Sequence, residues 1–219
     1  MKPECMAQLG WLLIMVKTII NEFSENTYLV NKGNEVFVID PGAHFKEIKT
    51  IIDENNYILK GVLLTHGHFD HIFSLNDMIQ EYNPEIYIHK DERDFLFSAS
   101  LNLSSMINKQ FKINSKDKIN VIEDGFKITL GRDDIIVIHT PGHTRGSVCY
   151  LYKKYLFSGD TLFKGTVGRT DLPTGNKVTL ERSLQKLISK CKDNTVVYPG
   201  HGDITTILNE KYDNEYIKN

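Results

Sequence analysis

The stretch Leu63–Ile72 reads LLTHGHFDHI and sets three of the chain's eight histidines, with an aspartate, inside six positions. The apolar run GVLLT (Gly61–Thr65) leads into it and reads as a short strand. In extended chain, residues i and i+2 point the same way, so His66 and His68 can face one ion together. Asp70 and His71 follow as the chain turns toward a helix and face a second point nearby. Imidazole and carboxylate donors together suit Zn2+, Fe2+ or Mn2+.

Three later stretches share the design of an apolar strand ending in a polar, glycine-marked loop: IIVIHTPGHTRGS (135–147), YLFSGDTLF (155–163) and VVYPGHGD (196–203). They add His143, Asp160 and His201 just past a strand end, where rigid sheets usually hold functional side chains. Seven candidates exceed the four ligands of a closed tetrahedral site. They suit two ions sharing a bridging carboxylate. Thiolates are not expected to take part. Cys5, Cys149 and Cys191 are scattered, odd in number and lack C-x-x-C spacing, and read as inert thiols in a reducing compartment. His44, His89 and His139 lie outside the pattern and read as ordinary polar residues.

Composition is that of a soluble globular chain: 219 residues, 41% apolar, 25% charged, net charge −2. Nothing in that balance favours nucleic acid or an anionic membrane, so the expected partner is a small molecule in the cytoplasm. The apolar run Leu9–Val16 is too short to span a bilayer and lacks a signal-peptide cleavage site. We expect residues 1–14 to be an extension, with Met15 a candidate start, and 15–219 to form a single domain.

β-Branched and aromatic runs predict strands at Val16–Ile20, Asn26–Val30, Glu35–Ile39, Gly61–Thr65, Glu85–His89, Phe126–Leu130, Ile135–His139 and Thr195–Tyr198, with a hairpin of Val148–Tyr152 and Tyr155–Ser158. Helical spacing predicts helices over 45–56, Ile72–Tyr82, Val178–Cys191 and Ile204–Tyr212. Asp91–Ser115 reads as a helix followed by a mobile polar loop. Strands and helices, then strands and helices again, suggest an α/β sandwich of two halves.

VIDPG with Asp40, THGHFDH, TPGHTRGS, SGDTLF and YPGHGD occur in this order and resemble the motifs of the metallo-β-lactamase-fold hydrolase superfamily. The resemblance runs from about Asn26 to Asp203. GDTLFKGTVGRTDLPTGN (159–176) is similar to the glyoxalase II-like (hydroxyacylglutathione hydrolase-like) enzymes of the short bacterial branch. The resemblance implies a four-layered αβ/βα sandwich with the site at the open edge between two sheets. It implies two divalent ions, Zn2+ first and Fe2+ or Mn2+ as alternatives. His66, His68 and His143 would hold one, and Asp70, His71 and His201 the other, with Asp160 bridging. Asp40 would orient ligands without binding metal. The implied activity is a metal-dependent hydrolase whose metal-bound hydroxide attacks a thioester or related carbonyl, with Asp70 catalytic in handling the proton. Arg169 matches a basic substrate-contacting position, and Thr170 and Lys164 are further substrate candidates.

Only 18 residues follow His201, so the C-terminal helical domain with which glyoxalase II grips glutathione is not expected. Persulfide dioxygenases share the H-x-H-x-D-H and GRTD motifs. On that alternative, His66, His143 and Asp160 would hold a single iron. β-Lactamase activity is disfavoured because Asp160 stands where the commonest such enzymes have a cysteine. Nuclease activity is disfavoured by the charge balance and the lack of room for a nucleic-acid-binding domain. A non-catalytic metal-binding module is the non-enzyme alternative.

Overall fold

Along β2 (Asn26–Lys32) and β3 (Glu35–Ile39), side chains alternate between two buried faces. Leu29, Val36 and Val38 turn to one apolar cluster, and Tyr28, Val30, Phe37 and Ile39 turn to another. A sheet buried on both faces needs cover on both, and layering follows from that requirement. The computed structural model describes residues 14–114 and 118–217.

The first sheet orders β1 (Ile14–Ile20), β2, β3, β4 (Ile58–Leu63), β5 (Ile86–His89) and β6 (Ile119–Ile122). β1 to β3 form an antiparallel meander, and β3 to β6 run parallel. Helices α1 (Phe45–Glu54) and α2 (Leu75–Tyr82) cover its outer face through Ile48, Ile52, Leu75 and Met78. Each such fully buried side chain contributes about 1.5–3 kcal/mol.

The second sheet uses β7 (Lys127–Leu130), β8 (Asp133–His139), β9 (Val148–Tyr152), β10 (Tyr155–Gly159), β13 (Val196–Pro199) and β14 (Thr205–Thr206), in the order β14-β13-β10-β9-β8-β7. Val148, Tyr150 and Tyr152 face the first sheet. Cys149 and Leu151 face α3 (Lys177–Lys190) and α4 (Ile207–Asp213) with Leu180, Leu184, Leu187 and Ile207. The four-layered αβ/βα sandwich implied by the sequence is the observed fold. A small hairpin, β11 (Leu162–Phe163) with β12 (Thr166–Val167), stands beside it.

The connections aim the strand ends. β3 and β4 are parallel. β8 and β10 are both antiparallel to β9, and β13 is parallel to β10. The C-terminal ends of β8, β10 and β13 therefore share one edge, and the C-terminal ends of β3 and β4 meet them there. Asn26 N–H donates to Gly200 O at 2.7 Å, and Val148 N–H to Thr65 O at 2.8 Å, stitching the two sheets at that edge.

Several expected boundaries differ. β4 spans Ile58–Leu63, so Leu64 and Thr65 already belong to the loop. α2 starts at Leu75 because a 3-10 turn (Phe69–His71) occupies the preceding residues. α4 starts at Ile207 because Thr205 and Thr206 pair with β13 first. β6, β11, β12 and β14 were not expected. The segment from Asp91 makes 3-10 turns (Lys90–Phe97, Ser104–Ile107) rather than a helix and a loose loop, and Asn102 and Ser104 within it are buried. Leu9 to Leu13 of the apolar run and Cys5 lie outside the described residues, whereas Ile14 already pairs with Lys32 in β1.

Candidate metal centre

The seven residues singled out from the sequence converge at the shared edge. His66 Nε2 and His143 Nε2 lie 3.1 and 3.0 Å from His68 Nδ1, and all three rings are buried. Beside them, Asp70 Oδ2 is 3.4 Å from His201 Nε2 and 3.9 Å from His71 Nε2. Asp160 stands between the two groups. Its Oδ1 is 3.4 Å from His71 Nε2, and its Oδ2 is 3.4 Å from His143 Nε2 and 3.7 Å from His201 Nε2.

Outer partners fix which nitrogen of each ring is bare. His143 Nδ1 lies 2.8 Å from Arg169 O and His201 Nδ1 2.9 Å from Ser24 O; a carbonyl only accepts, so both Nδ1 atoms carry the proton. His71 Nδ1 donates to Asp40 Oδ2 at 3.0 Å. The Thr65 hydroxyl gives its one proton to Asp40 at 2.6 Å and so accepts from His66 Nδ1 at 3.1 Å. Four Nε2 atoms thus face the centre. His71 Nε2 and Asp160 Oδ1 are buried there without a hydrogen-bond partner. Lone pairs packed this closely repel one another unless cations sit among them, so the donor set fits a pair of divalent ions.

Asp40 is occupied by this task. Its Oδ1 accepts from Thr65 N–H at 2.7 Å, while Oδ2 serves the Thr65 hydroxyl and His71. It holds a left-handed backbone (φ 48°) directly before Pro41, a strain on the order of 1–3 kcal/mol that these bonds offset.

Electrostatics point the same way. Burial, reinforced by neighbouring imidazoles, pushes His66 well down and His68 down to about 3. Burial opposes charge on His71 too, but Asp160 and Asp70 outweigh it and hold that ring well above its usual value. Burial would raise Asp160, yet His71 and His143 hold it far below the carboxylate range. Without metal, a proton on His71 is the cation that Asp160 receives; bound metal takes its place.

Two buried acids at this edge were not foreseen, and no local pattern marks them. Glu92 accepts from Gly67 N–H at 3.0 Å and Gly146 N–H at 2.9 Å, tying the loop of His66 and His68 to the loop of His143. A β-carbon on Gly67 would lie 2.4 Å from Phe95 Cβ, so the clamp requires glycine there. Glu25 accepts from Asn21 and Thr27, lies 3.9 Å from His71 Nδ1, and its backbone bridges that of His201.

The substrate candidates are less gathered. Arg169 lines the cavity of about 440 Å3 above the two clusters, but its guanidinium is held by both oxygens of Asp171 at 2.7 Å. Lys164 is paired with Asp203 at 2.9 Å, and Thr170 lines a neighbouring cavity with Arg169. His44 meets Glu22 on the surface. His89 and His139 stack at 4.0 Å with an 11° tilt, and with Asp91 they form a further, separate group of donor atoms within 4.8 Å of one another.

Sequence comparison agrees with this geometry: the family model for the metallo-beta-lactamase superfamily matches residues 20–201. The chain belongs to the metallo-β-lactamase superfamily. Hydroxyacylglutathione hydrolase GloC of Haemophilus influenzae is 30% identical over 90% of this chain and 95% of its own. A B3 metallo-beta-lactamase, BLEG-1, is 34% identical with a TM-score of 0.86, covering 94% of this chain and all of its own. TTHA1623, solved in a di-iron-bound form, is 31% identical with a TM-score of 0.82, over 92% of this chain and 99% of its own. Members of this superfamily bind metal ions and act on small molecules. No helix among the described residues is long and apolar enough to cross a membrane.

Proposed function

We propose that the chain is a dinuclear metal-dependent hydrolase of thioesters or related carbonyl compounds. The observation that carries this reading is the set of four inward-facing imidazole Nε2 atoms around Asp160, whose carboxylate lies within 3.7 Å of members of both clusters. His66, His68 and His143 would hold one ion and Asp70, His71 and His201 the other, with Asp160 placed to serve both. The ions, when bound, supply a water of lowered pKa and polarise a carbonyl oxygen.

The remaining work falls to the chain. Asp70 lies on the open side of the site, kept ionised by His71 and His201 against the pull of burial. It orients the attacking water and takes its proton. Asp40, Thr65, Ser24 O and Arg169 O keep four rings in the tautomer that presents Nε2 inward. Zn2+ suits the nitrogen-rich donor set, and the di-iron neighbour makes iron the first alternative. The resemblance to GloC favours a thioester substrate.

Elemental analysis of the purified protein, paired with hydrolysis of S-lactoylglutathione, simple thioesters, a lactone and a β-lactam, tests the reading. Two metals per chain with thioester turnover are expected. Full activity in metal-free protein overturns it. One iron with oxygen uptake on glutathione persulfide assigns the dioxygenase chemistry instead, and metal without any turnover assigns a binding module. β-Lactam turnover above that of every thioester would move the substrate class toward that of BLEG-1.

A further inference from the structure

The cavity above the clusters has a polar floor and hydrocarbon walls. Phe69, Leu103, Phe163, Val167 and Leu172 supply the hydrocarbon of its lining, and Thr166 and Arg169 line it with them. Phe69 and Leu103 are held in place by hydrogen bonds to the main chain and side chain of Asn102. Leu103 adopts φ 67°, a conformation bulky residues rarely take. The side chain of buried Asn102 fixes it there, donating to Phe95 O at 2.9 Å and Phe111 O at 3.0 Å and accepting from Ser104 N–H at 3.0 Å. The carbonyl of the same Asn102 accepts from Phe69 N–H at 2.8 Å, and the Phe69 ring meets Phe23 edge-on at 5.1 Å. Arg169, the one lysine or arginine among the described lining residues, is compensated by Asp171.

We infer that this cavity takes an aliphatic, uncharged acyl chain, so that the preferred substrates are apolar acyl thioesters rather than hydrophilic hydroxyacyl or carboxylated ones. The inference rests on the hydrolase reading for turnover, but the walls select by binding whether or not hydrolysis follows. Covering such walls gains about three- to fourfold in affinity per added methylene. Burying a carboxylate against them costs more than any exposed ion pair returns.

The test uses metal-loaded protein and N-acetylcysteamine thioesters of acetate, butanoate, hexanoate and succinate, together with non-hydrolysable ketone analogues of the same acids. kcat/KM is expected to rise about three- to fourfold per methylene from acetyl to hexanoyl, with succinyl at least about tenfold below butanoyl. Leu172→Ser and Phe163→Ser should each flatten that slope, read as the hexanoyl-to-acetyl ratio. A flat or falling series, or a preference for succinyl, overturns the inference. If no thioester turns over, analogue binding decides: affinity that climbs with chain length keeps the inference while the hydrolase reading falls, and length-independent binding removes the inference itself.

Discussion

Replacing Glu92 by Gln separates the two forces on this carboxyl. Both of its oxygens accept from backbone N–H groups, of Gly67 and Gly146, and it is wholly buried. Glutamine keeps one acceptor and turns an NH2 toward the other N–H, leaving a buried donor unmatched at a cost of about 1–3 kcal/mol. Burial also pushes the Glu92 carboxyl from 4.5 up to about 7, against hydrogen bonds from Thr144, Gly146 and Gly67. A folded value above the unfolded one means the folded state binds the proton more tightly. Its contribution is complete below 4.5 and lost as the pH rises through about 7, a change on the order of 3 kcal/mol. Glutamine has no charge to bury and does not share that loss. Urea unfolding of both proteins with chelator present, followed by circular dichroism, reads the difference, and every other titrating group cancels in it. Glu92→Gln should be less stable by about 1–3 kcal/mol near pH 5, a fall in Tm of about 2–12 °C. The gap should close or reverse near pH 8. A gap that widens with rising pH would show that the clamp wants the ionised carboxylate and would refute the reasoning.

His68→Ala and Asp160→Ala should each abolish hydrolysis and lower bound metal, the first at one ion and the second at both, as elemental analysis will show. Asp40→Asn leaves one acceptor oxygen for the three donors of Thr65 and His71 and should weaken metal affinity about 10–100-fold, read by competition with a chromophoric chelator. Gly200→Ala would place a β-carbon 2.3 Å from Asp160 Oδ1 and 2.8 Å from His71 Cε1. It should reduce metal content and activity together, while circular dichroism reports a retained fold. Arg169→Ala should leave metal content unchanged and alter KM, because only the carbonyl of Arg169 touches His143.

The sandwich was legible where apolar runs were long and regular. β2, β3 and β9 alternate strictly between two buried faces, and α1 and α3 carry their apolar residues at helical spacing. Elements of two residues, such as β11, β12 and β14, leave too little period to detect. The segment after Asp91 misled for a physical reason. Leu96 and Ile113 join the outer cluster of the first sheet, Phe95 packs against His68 and Leu103 lines the cavity, while Asn102 satisfies the irregular backbone between them. That is a wall assembled by one side chain, and it has no repeat to read.

The centre was legible to the same degree and with the same limit. Nitrogen and oxygen donors announce themselves because their residue types are scarce and their spacing after strand ends repeats. Which nitrogen each ring presents is decided elsewhere. Two of the four orienting groups are main-chain carbonyls, Ser24 O and Arg169 O, which any residue at those positions would supply. Arg169 therefore plays two separable parts. Its guanidinium is held by Asp171 at the cavity above the clusters, and its carbonyl accepts from His143 Nδ1. The loop from Gly168 to Asp171 couples the two, since Gly168 packs so closely on the Asp160 carbonyl that a β-carbon there would lie 1.8 Å from it. On the proposed function, a substitution at Arg169 would change the cavity lining while the backbone carbonyl that orients His143 stays in place. Substrate class can thus diverge on an unchanged metal centre, as the different names of relatives of similar identity suggest.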